Sequence, residues 1–332
     1  MNRGELPLDL QYDLYTRYAL IRDILSIAFS DDSSFIGRTV LDVGAGPSYV
    51  TERFLDKRFR VVRSDIADFG DPGIVVLLRG QPFPLDDNSF DAVIAMDVLE
   101  HIPCTERQMF LAECLRTSQF LTVVAAPIGT AEVEAAERCY AAVFERLFNR
   151  KESFLIEHAK FGVPRPDDVR AMTSALNTYV IEVDNVLISD WLAFNVIDLF
   201  VSTIDDGYSA KGFLNKRLNS RVPANYDGGQ HYRRFYVLIK DQGVREKLER
   251  GVSSLRTPLS SKPNTDALTA LAEQFCAYVR DFNAPFVLAL NADISAKDAI
   301  IHDQDTHLQA LNADISAKDA IIHDQDTHLQ AL

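Results

Sequence analysis

This sequence predicts an α/β fold: a doubly wound, mostly parallel sheet of seven strands, with a C-terminal helical extension. Three observations lead there. From residue 39 to residue 126, short apolar runs alternate with stretches of helical spacing, the pattern of parallel strands joined by covering helices. The first run ends directly in a glycine-rich turn, Asp42-Val43-Gly44-Ala45-Gly46. Two further β-rich runs, 179–183 and 232–239, come after a more helical middle section.

Taken in order, residues 8–30 have helical periodicity, inside an N-terminal helical segment bounded at 1–36. Strands follow at 39–43, 60–65, 74–78, 92–96 and 120–126, with helices at 50–56, 106–117, 131–149 and 166–176. Residues 205–229 are rich in Gly, Ser and Asn and read as a long loop, a feature more often functional than idle in a compact domain. The domain is drawn at 37–245. A linker at 246–265 follows, rich in serine and proline towards its end, and then a helical tail at 266–332 with a break at 283–285.

The tail holds a perfect repeat, NADISAKDAIIHDQDTHLQAL, at 291–311 and again at 312–332. Twenty-one residues are three heptads. With Val287 at position a, Ile294, Ile301, Leu308, Ile315, Ile322 and Leu329 also fall at a. Position d holds Leu290, Lys297, Gln304, Leu311, Lys318, Gln325 and Leu332, of which only the leucines are apolar. So narrow a seam predicts a long helix of coiled-coil type with weak self-association.

The chain is 47% hydrophobic, enough for a sizeable core, and its net charge is -14. Residues 291–332, with eight Asp and two Lys, supply -6 of that charge. An acidic surface argues against nucleic-acid phosphates as partner. Cys104, Cys114, Cys139 and Cys276 form no CxxC pair, which predicts reduced thiols in a cytoplasmic protein with no structural zinc site. No basic segment followed by an apolar run opens the chain, and the longest apolar runs are too short to span a bilayer. Neither a signal peptide nor membrane insertion is expected.

The glycine turn is the first chemical signal. A strand entering such a turn before a helix lets backbone approach a ligand closely and offers helix N-terminal N–H groups. Alone it is shared with dinucleotide folds, which add a third glycine; here Pro47-Ser48-Tyr49 stands near that place, against pyrophosphate binding. Asp65 ends the next strand about 20 residues on, where a carboxylate can accept both hydroxyls of a ribose. The segment from Gln81 to Pro103, QPFPLDDNSFDAVIAMDVLEHIP, then decides between cofactors. It resembles the class I S-adenosylmethionine-dependent methyltransferases, in which a "PF-acidic-S-FD" turn leads into the fourth strand and "LEHI" follows it. The resemblance covers residues 38–130 closely and 131–240 more loosely, and it implies the Rossmann-like methyltransferase fold.

The resemblance implies S-adenosylmethionine as cofactor, with Asp42, Gly44, Ala45 and Gly46 at its amino-acid part. Asp65 would take the ribose hydroxyls, Ile66 would lie against adenine, and Asp97 would line the methionine end. Many members carry an acidic residue before the PF turn; Arg79-Gly80-Gln81 stands here instead, shifting adenine recognition to backbone or Gln81. Residues 7–20, PLDLQYDLYTRYAL, the EHAKFG run at 157–162 and the heptad tail resemble methyltransferases of bacterial surface-polysaccharide assembly. That implies O-methylation of a small or glycan-type acceptor, with a glycosyltransferase partner or self-association through the tail. A quinone or other small-metabolite methyltransferase, and a non-catalytic scaffold acting through the tail, are the alternatives.

His158, flanked by Glu157 after the fifth strand, is the candidate catalytic base or acceptor contact. His101, in LEHI, reads as orienting the helix start, and His231, before the last strand, is a weaker candidate. The remaining His302, His307, His323 and His328 lie five apart in pairs, off a common helix face, so no metal site is expected. Tyr12, Tyr15 and Tyr18 could cover the cofactor, but their spacing suits core contacts better.

Overall fold

The computed structural model describes residues 6–30, 37–203, 207–221 and 225–258, with isolated positions between 297 and 318. It divides into two units, Met1–Thr265 and Asp266–Leu332. In the first, the chain runs α1 (Tyr12–Ala28), β1 (Arg38–Val43), α2 (Val50–Phe54), β2 (Phe59–Asp65), β3 (Ile74–Val76) and β4 (Phe90–Met96). A 3-10 turn (Leu99–His101) precedes α3 (Arg107–Thr117), β5 (Ser118–Pro127), α4 (Ala131–Phe148), α5 (Ser153–Phe161) and α6 (Pro166–Ala175). Then come β6 (Tyr179–Leu187), α7 (Ile188–Val201), α8 (Gly207–Arg221), β7 (Tyr226–Asp227), β8 (His231–Ile239), α9 (Gln242–Gly251) and β9 (Thr257–Pro258).

Seven strands form one sheet in the order β3-β2-β1-β4-β5-β8-β6, and β7 pairs with β9 apart from it. The β1–β2, β1–β4, β2–β3 and β4–β5 pairs are parallel; β8 runs antiparallel to both β5 and β6. The doubly wound, mostly parallel sheet of seven strands is therefore present. Alternation along each strand divides the core in two. Val40, Ile94, Val123 and Val237 meet Ile21, Ile24 and Leu25 of α1, Phe54 of α2 and Leu248 of α9 on one face. Leu41, Val93, Val124 and Leu238 meet Leu111 and Cys114 of α3 and Val169 of α6 on the other.

Three expectations change. Residues 207–221 of the expected long loop are helix α8. Its asparagines read as turn formers but work as tertiary donors. Asn215 donates to the Asp9 carbonyl, and Asn219 to those of Leu8 and Leu10, while Leu214 and Leu218, one turn apart, are buried. Residues 246–251 of the expected linker belong to α9, capped by the Asp241 side chain accepting from the Val244 N–H at 2.8 Å. Its Val244 and Leu248 join the core beside α1. Residues 153–161, given no element from sequence, are helix α5. In the second unit the described residues of the repeat, among them Leu308 and Leu311, are helical and exposed. The rest of the heptad register lies outside the described residues.

Candidate functional site

In an open α/β sheet, ligands bind at the carboxyl ends of strands where the order reverses. Here β1 lies between β2 and β4, and the turn leaving β1 sits at that reversal. Gly44 (φ 76°) and Gly46 (φ 63°) take up left-handed backbone, which glycine adopts freely. At Gly44 there is also no room: a Cβ would lie 2.5 Å from Val98 Cγ2. The N–H groups of the turn do not await a ligand. Gly44 and Ala45 donate to the Ser64 carbonyl at 2.8 and 3.1 Å, and Gly46 donates to Asp65 Oδ2 at 2.9 Å. The first helical residue, Val50, comes four positions after Gly46, beyond a turn stitched to β2.

A cleft of about 240 Å³ opens beside this turn. Gly44, Asp65, Ile66, Gln81 and Asp97, five of the eight positions expected at the cofactor, line it. Asp42, Ala45 and Gly46 do not line it. Asp42 is 2% exposed, and the Thr51 hydroxyl donates to it in a short contact, tying β1 to α2. Burial pushes the Asp42 carboxyl up to about 7, with the Thr51 hydrogen bond working the other way. Towards α3, Glu113 closes the wall by accepting from the Phe83 N–H at 2.7 Å and from Arg116.

Asp97 follows β4 in left-handed backbone (φ 53°), its N–H held by the Ala125 carbonyl at 2.9 Å. Its carboxylate meets Arg233 of β8 in a two-pronged contact of 2.7 and 2.6 Å, and Arg17 of α1 at 3.0 Å. Asp13 bridges the same two arginines at 2.9 and 2.8 Å. Arg233 is fully buried, and Asn185 accepts from it at 3.3 Å. Burial alone would raise the Asp97 carboxyl, but the two guanidinium groups hold it below the usual carboxylate range. Asp97 thus reaches the cleft as one member of a closed set of two carboxylates and two guanidiniums.

Beyond Asp97 the histidines sort themselves. His101 lines the cleft and its Nδ1 meets Glu157 at 2.7 Å. Burial, then the neighbouring His158 ring, holds the imidazole below its ordinary value. His158 is the buried residue of α5 and does not line the cleft. Its ring lies 5.0 Å from that of His101, and its Nδ1 meets Glu137 at 2.9 Å. The Tyr232 hydroxyl also donates to Glu137, while the Tyr232 ring stacks on Trp191 at 3.9 Å. His231 is buried against the Tyr226 carbonyl at 3.0 Å. Tyr12, Tyr15 and Tyr18 are buried in the core away from the cleft.

Sequence reading missed Arg17, Arg233, Glu100, Glu113 and Glu137. Arg17 and Arg233 lie 80 and 136 positions from Asp97 in the chain, so no local pattern links them. Glu100 carried a signal as part of LEHI, and Arg17 lies in the 7–20 run without being marked there.

Residues 41–119 match the family described as Methyltransferase domain. That segment is a methyltransferase domain. The donor used by the family is S-adenosylmethionine. An uncharacterized methyltransferase of Mycobacterium bovis BCG is 33% identical over 95 residues, covering 26% of this chain and 37% of its own length. One from Mycobacteroides abscessus is 39% identical over 80 residues, 20% of this chain and 31% of its own. The chain thus spans little more than a third of the curated relatives it matches. Among solved structures, magnesium protoporphyrin IX methyltransferase from Synechocystis PCC 6803 with bound SAH is 13% identical at a TM-score of 0.40, covering 69% of this chain and 86% of its own. Mycolic acid cyclopropane synthase CmaA1, complexed with SAH and CTAB, is 15% identical at 0.39, covering 66% and 82%. Among the described residues, no helix is long and apolar enough to cross a membrane.

Proposed function

We propose that the whole chain transfers a methyl group from S-adenosylmethionine to a hydroxyl of a small or glycan-type acceptor. The observation that carries the cofactor half is the convergence of Gly44, Asp65, Ile66, Gln81 and Asp97 on one cleft at the sheet reversal. In this reading Asp65 takes the ribose hydroxyls, and Ile66 and Gln81 take the adenine. The turn at Gly44 and Gly46 takes the amino-acid part, supported from below by Ala45 and Asp42. Asp97 borders the methionine end, its charge already neutralised by Arg17 and Arg233.

When bound, the cofactor supplies an activated sulfonium methyl, so the chain's own contribution is alignment and exclusion of water. The apolar side of the cleft, with Leu77, Phe83 and Phe110, lies beside Gln81, and we assign it to the adenine rather than to an apolar acceptor. The glycan-type acceptor rests on the sequence resemblance of residues 7–20 and 157–162 to surface-polysaccharide methyltransferases, as does a glycosyltransferase partner for the tail. Calorimetry with S-adenosylhomocysteine tests the first half. Saturable binding to the wild type, lost on Asp65→Ala with circular dichroism unchanged, is expected. A folded chain without binding refutes methyl transfer and leaves the scaffold reading. Label transfer from S-adenosylmethionine to nucleotide sugars and glycans, against a quinol control, tests the second.

A further inference from the structure

We propose that Glu100, His101 and His158 form a site for one divalent transition ion of zinc type, at the edge of the cleft. One ligand atom from each of the three converges to within 4.8 Å of the others. They come from two elements, the 3-10 turn after β4 and helix α5, so the cluster is a product of tertiary packing.

Four features separate it from an ordinary polar contact. His101 Nδ1 meets the Glu157 carboxylate at 2.7 Å and His158 Nδ1 meets Glu137 at 2.9 Å. This is the carboxylate–histidine pairing that fixes the tautomer of metal-binding imidazoles and leaves Nε2 as the donor atom. Second, His158 Nε2 is buried without a hydrogen-bond partner, in a residue 5% exposed. Third, Glu100 Oε2 is likewise buried without a partner, in a residue 1% exposed. Buried polar atoms are nearly always paired, yet these two side chains face each other, His158 Nε2 standing 4.0 Å from Glu100 Oε1. A cation between them would satisfy both. Fourth, Tyr232 donates to the same Glu137 that orients His158, so the supporting residue is itself held.

Two imidazoles and one carboxylate suit zinc and its first-row neighbours, and disfavour magnesium or calcium, which prefer oxygen donors. An ion with metal–donor distances of about 2.0–2.2 Å holds neighbouring donors about 3.4 Å apart, so a pair at the 4.8 Å limit has to close by about 1.4 Å. Three protein donors leave a coordination position open. His101 is the one of the three that lines the cleft, so that position lies on the cleft side, open to a ligand oxygen. Ion binding is defined by these residues alone; a role for the ion in methyl transfer would rest on the reading above.

The test is titration of the full chain, stripped with chelator, by Co²⁺ as an optical probe with Zn²⁺ as competitor. One equivalent of Co²⁺ with ligand-field absorption, displaced by Zn²⁺, is expected. Glu100→Gln keeps the shape of the side chain and should weaken binding at least about 100-fold. Glu157→Ala alters a half-exposed side chain, so folding is not at stake, and should weaken it about 10–100-fold as loss of an orienting carboxylate does. A folded wild type that takes up no ion overturns the site. So does uptake unchanged in Glu157→Ala, the outcome if the histidines of the tail were the binders. Parallel calorimetry with S-adenosylhomocysteine separates the two proposals, since ion binding without cofactor binding refutes only methyl transfer.

Discussion

Asp42 gives the sharpest stability test, because replacing its charge should change the pH profile in a defined direction. Its carboxyl is buried and pushed from 3.8 up to about 7, by burial first, against the opposing Thr51 hydrogen bond. Below pH 3.8 the group is protonated in folded and unfolded chains alike and has no linkage effect. Between 3.8 and about 7 the unfolded chain has released the proton and the folded chain keeps it. Stability therefore falls as pH rises, by about 1.4 kcal/mol per pH unit. Above about 7 both states are ionised, and the accumulated loss levels off at about 4 kcal/mol. Asp42→Asn keeps an oxygen for the Thr51 hydroxyl but brings an amide N–H that costs about 1–3 kcal/mol if unpaired. That cost does not depend on pH. Urea unfolding of both proteins from pH 4 to pH 8.5 should show the variant gaining on the wild type by about 4 kcal/mol, with the gain confined to the window below about pH 7.5. Parallel stability curves would refute the reasoning, since they would mean that the Asp42 carboxyl titrates alike in both states.

Asp97→Ala should destabilise the domain by about 3 kcal/mol or more in urea unfolding, because Arg233 would stay fully buried with Asp13 as its remaining carboxylate; a change under 1 kcal/mol would mean that the ion cluster is relaxed by water. Gly44→Ala meets both the Val98 side chain and a positive φ. Adding Val98→Ala should recover the steric part and leave about 1–2 kcal/mol of backbone strain, so equal stability of single and double variants would show that Val98 is not the obstacle. Asp241→Ala should lower the stability of α9 by about 1 kcal/mol, near 2–4 °C in a thermal melt; no shift would remove the cap from the account of why a helix stands at 242–251.

The parts legible in sequence are those whose physics is local. β1 with its turn, β2 ending in Asp65, and β4 leading to Asp97 each announce themselves within ten residues, since apolar runs and glycines act on their own segment. Helix α8 was hidden because asparagine has two uses. In a turn it bonds its own backbone, whereas Asn219 bonds backbone more than 200 positions away. The ion cluster around Asp97 was hidden because its partners are likewise distant in the chain. The run HYRRFYVLI shows a strand but does not say which of two adjacent arginines faces inward. In the structure Arg233 goes to Asp97 and Arg234 goes outward to Asp184 and Glu182. His158 stood out in the sequence for its neighbour Glu157, yet Glu157 serves His101 and Glu137 serves His158. The residue types were readable; the pairing was set by packing.

That pairing also gives α1 a chemical task besides its core contacts. The carboxylate of Asp97 borders the cleft, and a buried carboxylate without partners would be driven to its neutral form. Arg233 alone would balance the charge of Asp97, but as a buried guanidinium between Asp97 and Asp13 it would leave the set negative. Arg17, one turn along α1 from Asp13, completes it. The helix therefore brings its own acid and its own base to the site as a unit, and both need the helix at a fixed rotation. The rotation is set on the neighbouring face, where Ile21, Ile24 and Leu25 are fully buried against the sheet. Core packing of α1 and the charge state of Asp97 are consequently one structural fact, and substitutions that loosen the helix should be felt at the Asp97 end of the cleft before they are felt at the turn.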